Sequence, residues 1–101
     1  MIIREWRGRA KPAAAAGYPE HFRSSVLPVL KRSEGFVGAH LGRRDFGDQI
    51  EFLVLTRWAS LDAVRAFAGA DLDKAVLEPG ALAVLADYDF DVQHFEVLED
   101  A

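Results

Sequence analysis

Residues 50–67 read Ile-Glu-Phe-Leu-Val-Leu-Thr-Arg-Trp-Ala-Ser-Leu-Asp-Ala-Val-Arg-Ala-Phe, and the change of period inside them decides the fold. In the first half, Ile50, Phe52, Val54, Thr56 and Trp58 share one side of a strand. Leu53 and Leu55 share the other side, with Glu51 and Arg57 near the ends. A strand apolar on both sides is one that is covered on both sides. At Ser60 the apolar period lengthens from that of a strand to that of a helix. The Ser60 hydroxyl is placed to accept from a free amide of the first turn. Asp62 puts a negative charge at the positive end of the helix dipole. Leu61, Val64, Phe67 and Ala68 then form an apolar stripe. A buried strand runs straight into an amphipathic helix.

Upstream, residues 2–9 alternate as a first strand, with Ile2, Arg4 and Trp6 on one face and Ile3, Glu5 and Arg7 on the other. Lys11-Pro12 opens a helical region, proline being suited to the first helical position. Tyr18, Phe22, Val26 and Leu30 follow at four-residue spacing and form an apolar ladder. Pro19 and Pro28 each remove an amide donor, so the spacing predicts one bent helix or two pieces meeting near Leu27-Pro28. Gly35 ends it. Residues 36–44 form a second strand, with Phe36, Gly38, His40 and Gly42 opposite Val37, Ala39, Leu41 and Arg43. The run 45–48, with Gly47 inside it, turns the chain back into the central strand. Downstream, Gly69 stops the helix, 71–77 reads as a short helix and Pro79-Gly80 breaks the chain again. Residues 81–85 add a helical turn. Residues 87–98 form a last strand with Tyr88, Phe90, Val92 and His94 on one face.

The order β-α-β-β-α-β defines an α+β, ferredoxin-like domain spanning residues 1–101, with a four-stranded antiparallel sheet and helices on one face. The first and third strands lie in the middle. The other face would expose Leu53, Leu55, Phe95, Val97 and Leu41, with nothing in the chain left to cover it. Two such sheets packed face to face in a homodimer remove the problem.

The formal net charge of −4 argues against non-specific nucleic-acid binding. Arg4, Arg7, Arg9 and Lys11, and again Arg43 and Arg44, read as solvated strand ends and a solvated turn. No apolar run is long enough to cross a membrane, and the charged N-terminus is not a signal peptide. With no cysteine there is no disulfide and no thiolate metal site. A cytoplasmic location is expected. His21, His40 and His94 are the only histidines, and none forms a metal-binding spacing. Each is instead a candidate catalytic base, because imidazole titrates near neutral pH. His21 borders the apolar ladder, and His40 and His94 are assigned to strand faces turned towards the helices. Trp6, Tyr18, Phe22, Trp58 and Phe67 are the candidate walls of a pocket for a hydrophobic or aromatic small molecule. Asp89 and Asp91 read as guards of a strand edge.

The residues Leu55 to Gly69, the Glu-Gly-Phe-Val-Gly-Ala at 34–39 and the Val-Gln-His-Phe-Glu-Val at 92–97 resemble the antibiotic biosynthesis monooxygenase domain. The likeness covers nearly the whole chain. It implies a dimeric α/β barrel of two ferredoxin-like subunits, each with a pocket between helices and sheet. Members of the family include cofactor-free oxygenases that convert aromatic polyketides into quinones, and enzymes that degrade haem. Trp58 matches a recurrent strand tryptophan of the first group, but the accompanying Asn and Tyr are Val54 and Val64 here. The Asn, Trp and His of the second group fall close to Trp6, Phe67 and Leu77. The expected activity is cofactor-independent monooxygenation of an aromatic or polyphenolic small molecule, with neither metal nor flavin. The alternatives are a non-catalytic dimer that sequesters a hydrophobic metabolite, and a haem-binding protein. Without the family's polar pair, the pocket is expected to be dry and to orient its ligand through one histidine.

Overall fold

The structure is a computed structural model describing residues 1–101. Its strands β1 (Ile2–Ala10), β2 (Phe36–Phe46), β3 (Gln49–Trp58), β4 (Asp87–Tyr88) and β5 (Gln93–Glu96) form one antiparallel sheet. The order is β2-β3-β1-β4, with β5 also on β1, so β1 and β3 are central as expected. Ile50, Phe52, Val54, Thr56 and Trp58 face the helices, and they pair with Ala10, Gly8, Trp6, Arg4 and Ile2 of β1. This shared face is the floor of the core, in which Phe52 and Trp58 are fully buried.

The β2–β3 hairpin is longer than the expected strand and closes on a two-residue turn, Gly47-Asp48, between Phe46 and Gln49. Gly47 has φ 61°, the left-handed value that such a tight turn needs at its first position. Near its start, β2 carries a bulge between Phe36 and Gly38. The extra residue reverses the alternation beyond it. Phe36 stays on the helix side opposite Trp58, but Ala39 and Leu41 now share that side with Thr56 and Val54. His40 pairs with Leu55 on the opposite side. The sequence-based faces of His40 and Leu41 are both corrected by this single insertion.

After a 3₁₀ turn at Pro12–Ala14, helix α1 (Gly17–His21) passes through a π turn at Phe22–Val26 into α2 (Leu27–Arg32). The π turn is where the chain accommodates Pro28. That residue has no amide for the Ser24 carbonyl, and the Leu27 amide reaches back five residues to Phe22. Tyr18, His21, Phe22 and Leu30 are buried along the run. Helix α3 (Leu61–Ala68) begins at Ser60, whose Oγ accepts from the Ala63 amide at 3.2 Å.

The expected helix at 71–77 is absent. Its backbone is claimed by tertiary partners: Ala75 N–H donates to Phe90 O and Val92 N–H donates to Asp73 O. The Arg4 guanidinium also takes the Leu72 and Lys74 carbonyls. The same pairing breaks the expected last strand. From Gly8 to Glu5 is three residues on β1, while their partners Tyr88 and Gln93 lie five apart, so two residues bulge out towards 71–75. A short helix, α4 (Ala81–Val84), precedes β4.

The open face of the sheet is apolar at one end only. Ile3, Leu55, Leu53 and the exposed Phe95 occupy it. At the other end Glu51, only 4% exposed, receives Arg44 Nε at 2.7 Å, Arg9 Nη1 at 3.2 Å and Arg7 Nε at 3.9 Å. Arg9 also pairs with Asp87 and Asp89, and Lys74 with Asp91. These arginines are cross-strand partners rather than free strand ends, and Asp89 and Asp91, read from sequence as edge guards, are both ion-paired. Desolvation pulls the Arg9 guanidinium down, but its bonds to Asp89, Asp87 and Glu51 outweigh this and hold it above its ordinary value. No helix is long and apolar enough to cross a membrane.

Candidate functional site

Between the sheet and the helices lies a cavity of about 50 Å³. Its floor is Arg4, Trp6, Val54 and Thr56; its helical wall is Tyr18, His21, Val26 and Leu30; Phe67 of α3 closes one side. Val76, Leu77 and Glu78 form a roof, with Ala81 and Val92 beside them. The roof belongs to the segment that failed to become a helix.

The aromatic lining is held by mutual packing. The Tyr18 ring lies 5.9 Å from Trp6, 5.2 Å from Phe52 and 5.9 Å from His21. The Trp6 ring sits across Gly8, where an added Cβ would lie 2.6 Å from its Cη2. The Trp6 Nε1 donates to Asp89 O at 2.8 Å, so the indole is locked by the bulge in the last strand. Burial pushes the Tyr18 phenol up, so it remains a neutral hydroxyl.

Four polar side chains join this lining. His21 is 9% exposed, and its Nε2 is buried with no hydrogen-bond partner. An unsatisfied buried nitrogen of this kind is uncommon and costly. Thr56 Oγ accepts from Trp58 Nε1 at 2.8 Å, which leaves its own hydrogen free to donate. Arg4 is 6% exposed and lies 5.8 Å from the Phe67 ring centre. Burial lowers the Arg4 pKa to about 10, against the pull of Asp73, so the group is still charged at neutral pH. The half-buried Glu78 is the fourth.

Of the candidate residues read from sequence, His21, Trp6, Tyr18 and Phe67 meet in this cavity. Phe22 and Trp58 do not line it. Both are core residues, and Trp58, 0% exposed, packs between Phe36 at 5.5 Å and Phe67 at 5.0 Å. His40 is exposed on the open face of the sheet, put there by the bulge. His94 faces the helix side but lies beyond Arg4. Its Nε2 is 2.9 Å from Arg4 Nη1 and its Nδ1 is 3.6 Å from Asp73. Arginine can only donate, so His94 Nε2 is the acceptor and its proton sits on Nδ1. Burial, together with Arg4, holds its pKa below the usual histidine value. A lone pair already engaged by a cation makes a poor base.

Arg4, Thr56 and Glu78 join the site without being among the candidates that the sequence points to. Arg4 left a signal, since it shares the inward face of β1 with Ile2 and Trp6 and an inward charge asks for a reason. Glu78 left none, because its position depends on how 71–78 packs. Ten of the fourteen lining residues are hydrophobic, with the four polar side chains set among them. No three His, Asp or Glu side chains converge as a metal-binding group.

A βαββαβ order with an antiparallel sheet and one helical layer defines a ferredoxin-like α+β fold. A profile of the family "Antibiotic biosynthesis monooxygenase" (ABM) matches residues 1–78, and the chain belongs to that family. Among solved structures, it is similar to the haem-degrader MhuD from Mycobacterium tuberculosis, determined with two haems bound in its active site. Identity is 25%, covering 100% of this chain and 99% of that one, with a TM-score of 0.66. It is also similar to a Caulobacter crescentus protein assigned to the same monooxygenase family, at 20% identity over 97% of this chain and 90% of that one (TM-score 0.69). A Nitrosomonas europaea protein of unknown function matches at 22% identity over 99% and 91%, with a TM-score of 0.67. The last two likenesses are of fold alone. Among curated proteins, none matches the chain.

Proposed function

We propose that this protein is a cofactor-independent monooxygenase that oxidises a small hydroxylated aromatic compound in the cavity, with His21 as its base. The observation that carries this reading is the buried, unpartnered Nε2 of His21 in an aromatic wall. A general base needs a free lone pair aimed at bound substrate. Trp6, Tyr18 and Phe67 supply faces for a ring. The Thr56 hydroxyl supplies a donor for a substrate oxygen. Loss of the hydroxyl proton to His21 leaves an electron-rich phenolate whose ring carbon reacts with oxygen. In the net reaction the phenol's ring C–H and O–H are oxidised together, phenol and O₂ giving a quinone and H₂O, so one oxygen atom enters the product and the other leaves as water.

The cavity, about 50 Å³, is far below the roughly 300–1,000 Å³ of a site that encloses a drug-sized molecule. A single ring is the natural occupant, and a larger one requires the roof at 76–78 to move. That size weighs against haem, as does Leu77 near the position of the haem-degraders' histidine. Likeness to MhuD keeps haem as the second reading, tested by a haem-titration spectrum. The working form is proposed to be a cytoplasmic homodimer of single-domain chains, with the open sheet faces packed together.

Oxygen uptake with a panel of hydroquinones and anthrones tests the proposal. Turnover by the wild type that falls about a hundredfold or more in His21→Gln is expected. Binding of the same compounds with no oxygen uptake would replace this reading with that of a sequestering protein.

A further inference from the structure

Arg4 presents an unfinished ion pair. The guanidinium is buried in the cavity wall, and every acceptor that it meets is neutral. Nη1 donates to Leu72 O at 2.7 Å and to His94 Nε2 at 2.9 Å, and Nη2 donates to Lys74 O at 2.9 Å. The carboxylate on this side, Asp73, reaches His94 Nδ1 at 3.6 Å and makes no salt bridge to Arg4. Asp73 acts on Arg4 only through space, and a buried cation with no direct ion-pair partner is expensive to maintain. Three of the five guanidinium donors are occupied, which leaves the Nε–H and one Nη2–H. The edge formed by Nε and Nη2 is one at which a guanidinium holds a carboxylate through two parallel hydrogen bonds. Phe67, 5.8 Å away, sits beside the cation as a face for an aromatic ring.

We propose that the cavity selects an aromatic anion, a single ring bearing an ionised oxygen, and that Arg4 is the residue that reads the charge. This inference rests on the reading of the cavity as the ligand site, but not on turnover. The bound anion completes the ion pair that the protein leaves open. The ring lies along Phe67 and Trp6, and the end remote from the anion lies within the wall that holds His21. Arg4 then has two roles in one group. One edge holds the roof segment through the Leu72 and Lys74 carbonyls, and the other recognises the ligand.

Isothermal titration calorimetry on the full chain tests the assignment with matched pairs. One pair is para-hydroxybenzoate and para-hydroxybenzamide; the other is para-nitrophenolate and para-nitroanisole. The wild type is expected to favour the anion of at least one pair by about tenfold or more, as a charge-assisted pair implies. The pair that shows the preference identifies carboxylate or phenolate as the group recognised. Arg4→Gln is expected to remove the preference, and Arg4→Lys, which keeps the charge but not the edge, to keep part of it. Equal binding of anion and neutral analogue by the wild type overturns the inference while leaving the site intact. A preference that survives in a folded Arg4→Gln also overturns it. If Arg4→Gln does not fold, the wild-type comparison and Arg4→Lys decide. Binding of none of the four compounds overturns the reading of the cavity as a ligand site, and this inference with it.

Discussion

Replacing Trp58 with phenylalanine separates packing from ligand contact. Trp58 is 0% exposed, wedged between Phe36 and Phe67, and bonded through Nε1 to Thr56 Oγ at 2.8 Å. The substitution opens a partly filled void, which costs about 1–3 kcal/mol by analogy with other large-to-small core changes. It also removes a buried hydrogen bond, worth about 1 kcal/mol. A total near 2–4 kcal/mol would lower the melting temperature by roughly 10–20 °C in a chain of this size. The protein has two tryptophans, so the variant leaves Trp6 as its only indole fluorophore, in the cavity wall. Chemical denaturation gives the stability loss, and Trp6 quenching gives ligand affinity in the same sample. Because Trp58 does not line the cavity, affinity should change less than about threefold. A stability loss below about 0.5 kcal/mol with a tenfold loss of affinity would show that Trp58 walls the site and that its placement here is wrong.

Gly80→Ala pushes on His21 directly without changing it. Gly80 has φ −70°, which alanine adopts freely, but the new Cβ would lie 2.8 Å from His21 Nδ1. Oxygen uptake should fall while stability stays within about 1 kcal/mol of the wild type; unchanged turnover would remove His21 from the mechanism. Leu55→Asp places a charge in the proposed sheet-to-sheet interface, so light scattering should report a monomer, and a persistent dimer would mean that another surface associates. Acid should weaken the fold through His94. Burial and Arg4 hold its folded pKa below the unfolded value, Asp73 opposing. The unfolded chain therefore takes up the proton first as the pH falls. The contribution is intact above about pH 6.5 and is lost progressively from there down towards the folded pKa. Thermal melts of the wild type and His94→Gln across this range should differ in slope; parallel profiles would contradict the assignment.

The fold was legible because its central elements obey local rules. The two-sided apolar pattern of 50–58, the Ser60 cap and the Pro28 interruption are all properties of short windows, and each has its counterpart in the structure. The bulge at Phe36–Gly38 was not legible, because the alternation Val37, Ala39, Leu41 runs unbroken past it and a one-residue slip leaves that pattern unchanged. That slip moved His40 from the helix side to the open face. The helix expected at 71–77 has suitable residues, but the partners that override it come from β1 and the last strand, seventy and about seventeen positions away for Arg4–Lys74 and Lys74–Asp91. The same long-range contacts place the roof of the cavity. The aromatic part of the site was therefore readable from the chain, while most of its polar part depends on contacts that form only when the sheet is complete.

The central claim is that His21 Nε2 meets the ligand. Long-range ¹H–¹⁵N correlation spectra of the histidine rings, recorded as para-hydroxybenzoate is added, test it most directly. The His21 Nε2 resonance is expected to move as that unpartnered nitrogen acquires a hydrogen bond, while the exposed His40 stays in place. Saturable binding that leaves His21 unmoved and shifts His40 instead would contradict it.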